Sequence, residues 1–443
     1  MNIRIIKIET CGMKGLDKPI TFQFQNDTID FKAFDKPSVK AIYGQNGSGK
    51  SSFITAIDVY QGVCTSFSYL VSDSTSTALN NLVNKKTGRF EIRVFFAVSS
   101  FKTVYCHELV ISCRTSRPYI ERERISKIKG RTINSESVDI IHVERNNLVF
   151  YSGHPTMDKA DSFLRNALMK KNEYCSMLAM FCDENFLTEF ADSIDEKSKS
   201  SLDFNTDYAM FAMMCLDQFL FRVCVFLNES DIHRDPASSP LSGDFYFDAD
   251  YEDHPVVAGK RSIEKDKFEE YEAQVRKLAR FIRLFKPELR RIDIDKRVNG
   301  EKYFCSLVMD YGDYSVDYEY ESTGLRNLIS MFSCLEQAST GNIAFIDEMD
   351  ANMNEIYFEK LCEFFVNHGK GQLCFTTHNT APMNILKKQK YGIDFINNDI
   401  QSIQWVRNGN YSPSKLYSEG MIPGLPFNIE DFDFLSVFFS EEK

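Results

Sequence analysis

The sequence predicts an α/β fold: a mixed central sheet carrying a phosphate loop, an antiparallel β subdomain and a mainly helical insertion. Three observations predict it. A short buried strand runs straight into a glycine-rich loop and a helix between Val39 and Val63. Strand patterns return between residues 89 and 125, and helical spacing then holds from 158 to 230. A second half, from 320 to 400, alternates helix and apolar strand, and its strands end in carboxylates and in a histidine.

Taken in order, residues 2–9 alternate Ile with polar residues, as a half-buried strand does. A turn with Gly12 and Gly15 leads to a second strand, Ile20 to Phe24. Val39 to Tyr43 is the buried strand before the loop, and Ser51 to Val63 reads as the helix after it. Arg89–Phe96 and Val104–Ile111 are strands of the antiparallel sheet. Residues 158–230 are rich in Met, Leu and Phe at helical spacing. Residues 231–262 read as loop, with Pro236, Pro240, Gly243 and the acidic run Asp248 to Asp253. A charged helix spans Ile263 to Leu284 and ends before Pro287. Strands follow at 292–295 and 303–309, a helix at 323–338, a strand at 343–346, a helix at 354–367 and a strand at 372–376. This divides the chain into an N-terminal half (1–155), a mainly helical insertion (156–290) and a C-terminal half (291–443). There is no internal repeat and no heptad run long enough for an extended coiled coil.

With 443 residues, 43 % of them hydrophobic and including 38 Phe and 20 Tyr, the chain has ample material for more than one lobe. No window approaches 18 uninterrupted apolar residues, and the start is too charged for a signal peptide. A soluble, cytoplasmic protein without a membrane segment is expected. The twelve cysteines form no Cys-x-x-Cys pair, so buried reduced thiols are expected rather than a zinc knuckle or redox dithiol. The net charge of −11 means that any nucleic-acid contact needs a local basic patch.

The loop Gly44-Gln45-Asn46-Gly47-Ser48-Gly49-Lys50-Ser51, followed by Ser52, fits the P-loop pattern without a mismatch. Glycines let backbone N–H groups cradle phosphate oxygens that side chains would block. Lys50 would neutralise the β- and γ-phosphates, and the Ser51 hydroxyl would bind Mg²⁺. Nearly 300 residues on, the apolar strand Ile343–Ile346 ends in Asp347 and Glu348. Asp347 suits the Mg²⁺ shell, and Glu348 could take a proton from an attacking water or orient it. A third strand, from Leu373, ends in Thr377-His378, which could place an imidazole near a terminal phosphate. Ser322 is placed to cap the helix carrying Gly324 and Arg326, and the exposed N–H groups of its first turn suit an anion.

In this order the motifs resemble the ABC-type ATPase heads of the structural-maintenance-of-chromosomes, RecF and OLD proteins. They are most like the compact OLD-like ATPases of bacterial abortive-infection and anti-phage systems. The likeness rests on the opening Ile-Lys-Ile-Glu and Gly-Met-Lys-Gly, on Phe281-Ile-Arg-Leu-Phe-Lys-Pro-Glu-Leu289, on Glu321-Ser-Thr-Gly and on Asp347-Glu-Met-Asp350. It covers residues 1–60 and 280–380 well. It implies a P-loop NTPase head of ABC type, an Mg²⁺-dependent ATPase with ATP as cofactor. It also implies a head-to-head homodimer or larger homo-oligomer with ATP sandwiched between protomers. Gly44, Gln45, Asn46, Gly47, Ser48, Gly49, Lys50, Ser51 and Ser52 would hold the nucleotide in one protomer. Ser322, Gly324 and Asp350 would reach it from the other. Lys50, Glu348 and His378 would be catalytic, and Ser51 and Asp347 would hold the metal. The signature here is Ser-Thr-Gly rather than Leu-Ser-Gly-Gly, and Met353-Asn354-Glu355 follows Asp350 where relatives often carry Leu-His-Pro. The 65 residues after His378 are too few for the TOPRIM nuclease of OLD proteins, so an ATPase controlling a separately encoded effector, such as a nuclease, is expected. The acidic Glu430-Asp-Phe-Asp433 reads as a surface tail.

Two basic clusters stand out: Arg114, Arg117, Arg122, Arg124, Lys127, Lys129 and Arg131, then Arg276, Lys277, Arg280 and Arg283. The second has helical spacing and could track phosphates, but it is interleaved with Glu264, Glu269, Glu270 and Glu272, as a solvated face would be. The readings left open are a defence-system sensor subunit, a DNA-gripping repair or chromosome-maintenance ATPase, and a non-hydrolysing scaffold. The pair Asp347 and Glu348 argues against the last.

Overall fold

The computed structural model describes residues 2–152, 158–181, 184–193, 209–227, 260–351, 353–396, 402–404 and 412–422. In chain order its strands are β1 (Ile3–Cys11), β2 (Ile20–Gln23), β3 (Ser38–Gly44), β4 (Arg89–Val98), β5 (Thr103–Ser112), β6 (Tyr119–Ile128), β7 (Ser137–Glu144) and β8 (Asn147–Tyr151). There follow β9 (Val223–Phe226), β10 (Arg261–Glu264), β11 (Arg291–Asn299), β12 (Lys302–Asp310), β13 (Ser315–Asp317), β14 (Ile343–Ile346), β15 (Gln372–Thr376), β16 (Ile393–Ile396) and β17 (Ser402–Gln404).

Among the described residues these strands build three sheets. The central one runs β17-β16-β3-β15-β14-β9 and is parallel except for β17. The second is a seven-stranded antiparallel sheet, β2-β1-β4-β5-β6-β7-β8. In the third, β12 pairs with β10, β11 and β13. The chain thus has an α/β phosphate-loop fold with a mixed central sheet.

Period-two alternation sorts the central strands between two cores. Ile42, Ile343 and Phe345 point to the face that carries helix Lys50–Thr65. Ala41, Tyr43, Ala344 and Ile346 point to the opposite face, against helices Thr323–Thr340 and Glu355–His368. Helix Lys50–Thr65 is buried on nearly every side because it lies between two sheets. Its Phe53 ring sits 4.2 Å from Phe22 of β2 and 6.1 Å from Phe345 of β14, centroid to centroid.

Polar side chains fasten these layers. The Gln372 amide stands in for a strand neighbour: its oxygen accepts from Ile5 N–H at 2.7 Å and its nitrogen donates to the Ile5 carbonyl at 3.0 Å. Both bonds fall where β1 shifts register against β4. Lys40 of β3 donates to Asp394 of β16 at 2.5 Å, with both side chains almost wholly out of water. Burial pushes the Asp394 carboxyl above its usual range, and the Lys40 charge opposes that. Removing either partner would strand a bare charge in the interior. Tyr60 on the buried helix meets His107 Nδ1 at 2.7 Å. Beyond it, Glu123 accepts from Ser176 Oγ and from Met177 N–H, each at 2.7 Å, joining helix, sheet and helical segment.

The structure corrects several expectations. The stretch read as helical to residue 230 ends in β9, an edge strand of the central sheet, separated from helix Ala209–Phe221 by Arg222 alone. The charged helix begins at Phe268, and Ile263 lies in β10 instead. The antiparallel sheet continues past residue 125 to Tyr151. Cys224 and Cys334 are joined by a disulfide, their Cα atoms 5.4 Å apart, whereas the other described cysteines are free thiols. Residues 231–259, with the acidic run Asp248–Asp253, lie outside the described residues. So do Cys182 and the Glu430–Asp433 tail. No helix among the described residues is long and apolar enough to cross a membrane.

Candidate functional site

The site gathers where β3, β14 and β15, adjacent and parallel, come to their C-terminal ends. Strand β3 ends at Gly44, and the loop turns into helix Lys50–Thr65. A Cβ on Gly44 would lie 2.5 Å from Ser48 Oγ and 2.9 Å from the Ile396 carbonyl, so the loop closes only over a residue without a side chain. Gly49 caps the helix with φ +107°, a left-handed conformation, and the helix start has no side-chain cap. Its first-turn N–H groups, from Lys50, Ser51 and Ser52, lack partners within the helix. The turn after β1 lies on this loop, with Leu16 packed where a Gly49 side chain would be.

Lys50 is buried, and its ammonium donates to the Gly44 and Gln45 carbonyls, each at 2.9 Å. Burial lowers its pKa, and Asp347, Glu348 and Asp350 oppose the shift. Ser51 Oγ donates to Asp347 Oδ1 at 3.1 Å across 296 residues of sequence. Thr376 at the end of β15 completes the cluster. Its hydroxyl donates to Asp347 Oδ1 at 2.5 Å and accepts from Glu348 N–H at 2.8 Å. Its carbonyl accepts from Met349 N–H at 3.1 Å. Glu348 itself has φ +47°, a conformation that costs a non-glycine residue energy and is held by this clamp. Burial raises the Asp347 pKa, as does the neighbouring Glu348 charge, while Thr376, Ser51 and Lys14 pull it down.

His378 is exposed just beyond β15. Partial burial and the Lys50 charge lower its pKa below the usual histidine value, against Asp350, Glu348 and Asp347, so the imidazole is neutral at neutral pH. Asn46 and Gly47 are exposed at the loop tip, whereas Ser48 and Ser52 are buried. The structure therefore brings Lys50, Ser51, Asp347, Glu348, Asp350 and His378 into one electrostatic neighbourhood. The hydrogen bonds of Ser322 go instead to Glu321, Leu325 and Arg326, within its own segment. Sequence reasoning missed Thr376 and Lys14. A threonine ending the strand beside the carboxylate strand was the available signal for the first.

The residues fit a phosphate chain and a magnesium ion. Ser48 Oγ is buried and has no hydrogen-bond partner, an acceptor or donor waiting inside the loop. Ser51 and Asp347 present two adjacent hard oxygens. Mg²⁺ takes few protein ligands beside substrate phosphates, and no group of three or more His, Cys, Asp or Glu among the described residues suggests an all-protein cage.

Most of the basic residues noted in the sequence are already paired. Arg117 meets Asp73, Arg122 meets Glu108, Arg124 meets Asp139 and Lys129 meets Glu136. Arg276 meets Glu272 and Lys277 meets Glu336.

Three solved structures are distantly similar. The Smc head domain of Pyrococcus furiosus, with an extended coiled coil and bound to the C-terminal domain of ScpA, gives a TM-score of 0.39 at 13 % identity, covering 95 % of this chain and 99 % of that one. The SMC head domain of Thermotoga maritima gives 0.33 at 14 %, covering 91 % and 100 %. The recombination mediator protein RecF with ATPrS gives 0.37 at 11 %, covering 91 % and 99 %. No curated protein matches the sequence. A family model described as an AAA domain matches residues 21–302, well over half of the chain and inclusive of the phosphate loop. The chain belongs to the AAA domain family.

Proposed function

We propose that this chain is an ATP-hydrolysing, ABC-type ATPase whose site is completed by a second copy. The observation that carries the hydrolytic part is the hydrogen bond from Ser51 to Asp347, with Glu348 fixed beside it by Thr376. Lys50 would turn from the Gly44 and Gln45 carbonyls to the β- and γ-phosphates, exchanging two neutral acceptors for charged ones. A magnesium ion held by Ser51 and Asp347 would supply charge neutralisation on the phosphates. Glu348 takes the proton of the attacking water on its carboxylate, and the neutral His378 hydrogen-bonds the terminal phosphate.

The dimer reading is supported by the hydrogen bonds of Ser322, which stay within its own segment, together with the motif likeness to ABC-type heads. A protein partner is favoured over nucleic acid because the net charge is −11 and most of the basic residues noted are paired with carboxylates. The defence setting, with a separately encoded effector, is supported by the OLD-like motifs alone. Light scattering tests the dimer: ATP with Mg²⁺ is expected to double the mass of the monomeric protein or advance it to a higher oligomer. A mass unchanged by ATP at micromolar protein would remove the two-protomer site.

A further inference from the structure

The Phe281–Leu289 stretch and Glu321 belong to none of the chemistry above, yet the structure joins them. Glu321 and Ser322 have extended backbones, φ −70° and ψ 161°, then φ −57° and ψ 146°. In this polyproline-like conformation successive side chains point in different directions. Tyr320 is 82 % exposed and Ser322 is exposed, while Glu321 is 8 % exposed. The inward carboxylate is held from three directions. Tyr311, at the end of β12, donates its hydroxyl at 2.5 Å. Ser322 N–H donates at 3.3 Å. Lys286, in the turn after helix Phe268–Ile282, lies 3.6 Å away, and its ammonium also sits 4.6 Å from the centre of the Tyr311 ring. Burial and the Glu321 contact keep the Tyr311 hydroxyl protonated, so it remains a donor.

The same short stretch reaches a second element. Phe281 packs on Phe332 of helix Thr323–Thr340, ring centroids 5.1 Å apart, and on Phe285, also at 5.1 Å. Phe285 packs on Tyr357, at 5.4 Å, in helix Glu355–His368, which follows the Asp350 turn. We infer that Lys286 is a positioning residue: by neutralising and fixing Glu321 it sets how Ser322 and Gly324 are presented to the ATP of a second copy. The aromatic contacts of the same stretch tie that segment to the helix after Asp350, so both approach the partner as one face. This inference rests on the two-protomer reading proposed above.

The test uses the full chain with Lys286→Ala, Lys286→Arg, Tyr311→Phe and, as reference, Ser322→Arg. Binding of a non-hydrolysable ATP analogue is measured at protein concentrations too low for dimers, beside steady-state ATP hydrolysis and thermal melting. Lys286→Ala is expected to bind the analogue as the parent does while kcat falls on the order of tenfold to a hundredfold, the scale of a misplaced catalytic element. Lys286→Arg, which keeps the cation over Tyr311, restores most of the turnover. Tyr311→Phe shows the same split at smaller amplitude, because it removes one hydroxyl and leaves the ring. If Ser322→Arg stops turnover and Lys286→Ala does not lower it, the inference fails and the two-protomer reading stands. If neither variant lowers turnover, both fail. Loss of analogue binding and melting temperature together in Lys286→Ala, with no rescue by arginine, would reduce the pair to a stabilising contact and overturn the positioning role.

Discussion

Lys50→Ala is expected to abolish ATP binding while the protein still folds. In the structure the ammonium is buried and donates to two loop carbonyls at 2.9 Å, so it is poised where phosphates would take over those bonds. A hydrogen bond to a charged group contributes about 1.5–3 kcal/mol, so losing two costs about 3–6 kcal/mol, or at least about a hundredfold in Kd. Alanine also removes an ammonium whose burial is already unfavourable, as its lowered pKa shows, so the fold should tolerate the change. Calorimetry with ATP and Mg²⁺ reads the first effect and a melting curve the second. Undiminished binding by a folded Lys50→Ala protein would mean that the loop is not the phosphate site.

Glu348→Gln is expected to act at the opposite point of the cycle. The amide keeps the size of the side chain, and the backbone of residue 348 remains clamped by Thr376. Ligand binding through Lys50 and Ser51 is therefore preserved. What disappears is the carboxylate proposed to accept the water proton, an effect of about 10²–10⁴ in rate for a positioned general base. The variant should bind ATP with parental affinity, hydrolyse it at least about a hundredfold more slowly and accumulate as the closed dimer. Single-turnover hydrolysis beside light scattering checks both parts. Parental turnover would assign the proton to another group.

Much of this site was legible because local sequence controls it. Strand, glycine loop and helix are contiguous from Ser38 to Thr65, and the four apolar residues before Asp347 mark a strand buried on both faces. What stayed hidden depends on pairing between distant segments. Thr376 became part of the site only because β15 lies beside β14 in parallel register. Lys40 and Asp394 are 354 residues apart, and nothing local marks a lysine inside a buried strand as paired. The Cys224–Cys334 disulfide spans 110 residues and joins an edge strand to a helix. Strand β9 reads as helix in the sequence because Val223-Cys-Val-Phe226 is apolar and follows an apolar helix with no glycine or proline between. Lys286 and Glu321 likewise carry no sequence signal of their partnership, since they meet through a helix end and the end of β12.

In the proposed function one nucleotide is served by two copies of the chain, Lys50 from one and Ser322 from the other. The most direct test mixes two inactive proteins, Lys50→Ala and Ser322→Arg, and measures ATP hydrolysis. In a mixed dimer, the intact loop of the Ser322→Arg protein faces the intact signature of the Lys50→Ala protein. Because the two sites of a symmetric dimer are equivalent, an equimolar mixture should recover on the order of a quarter of the parental rate if they work independently. A mixture as inactive as either protein alone, under conditions where mixed dimers form, would contradict the shared site.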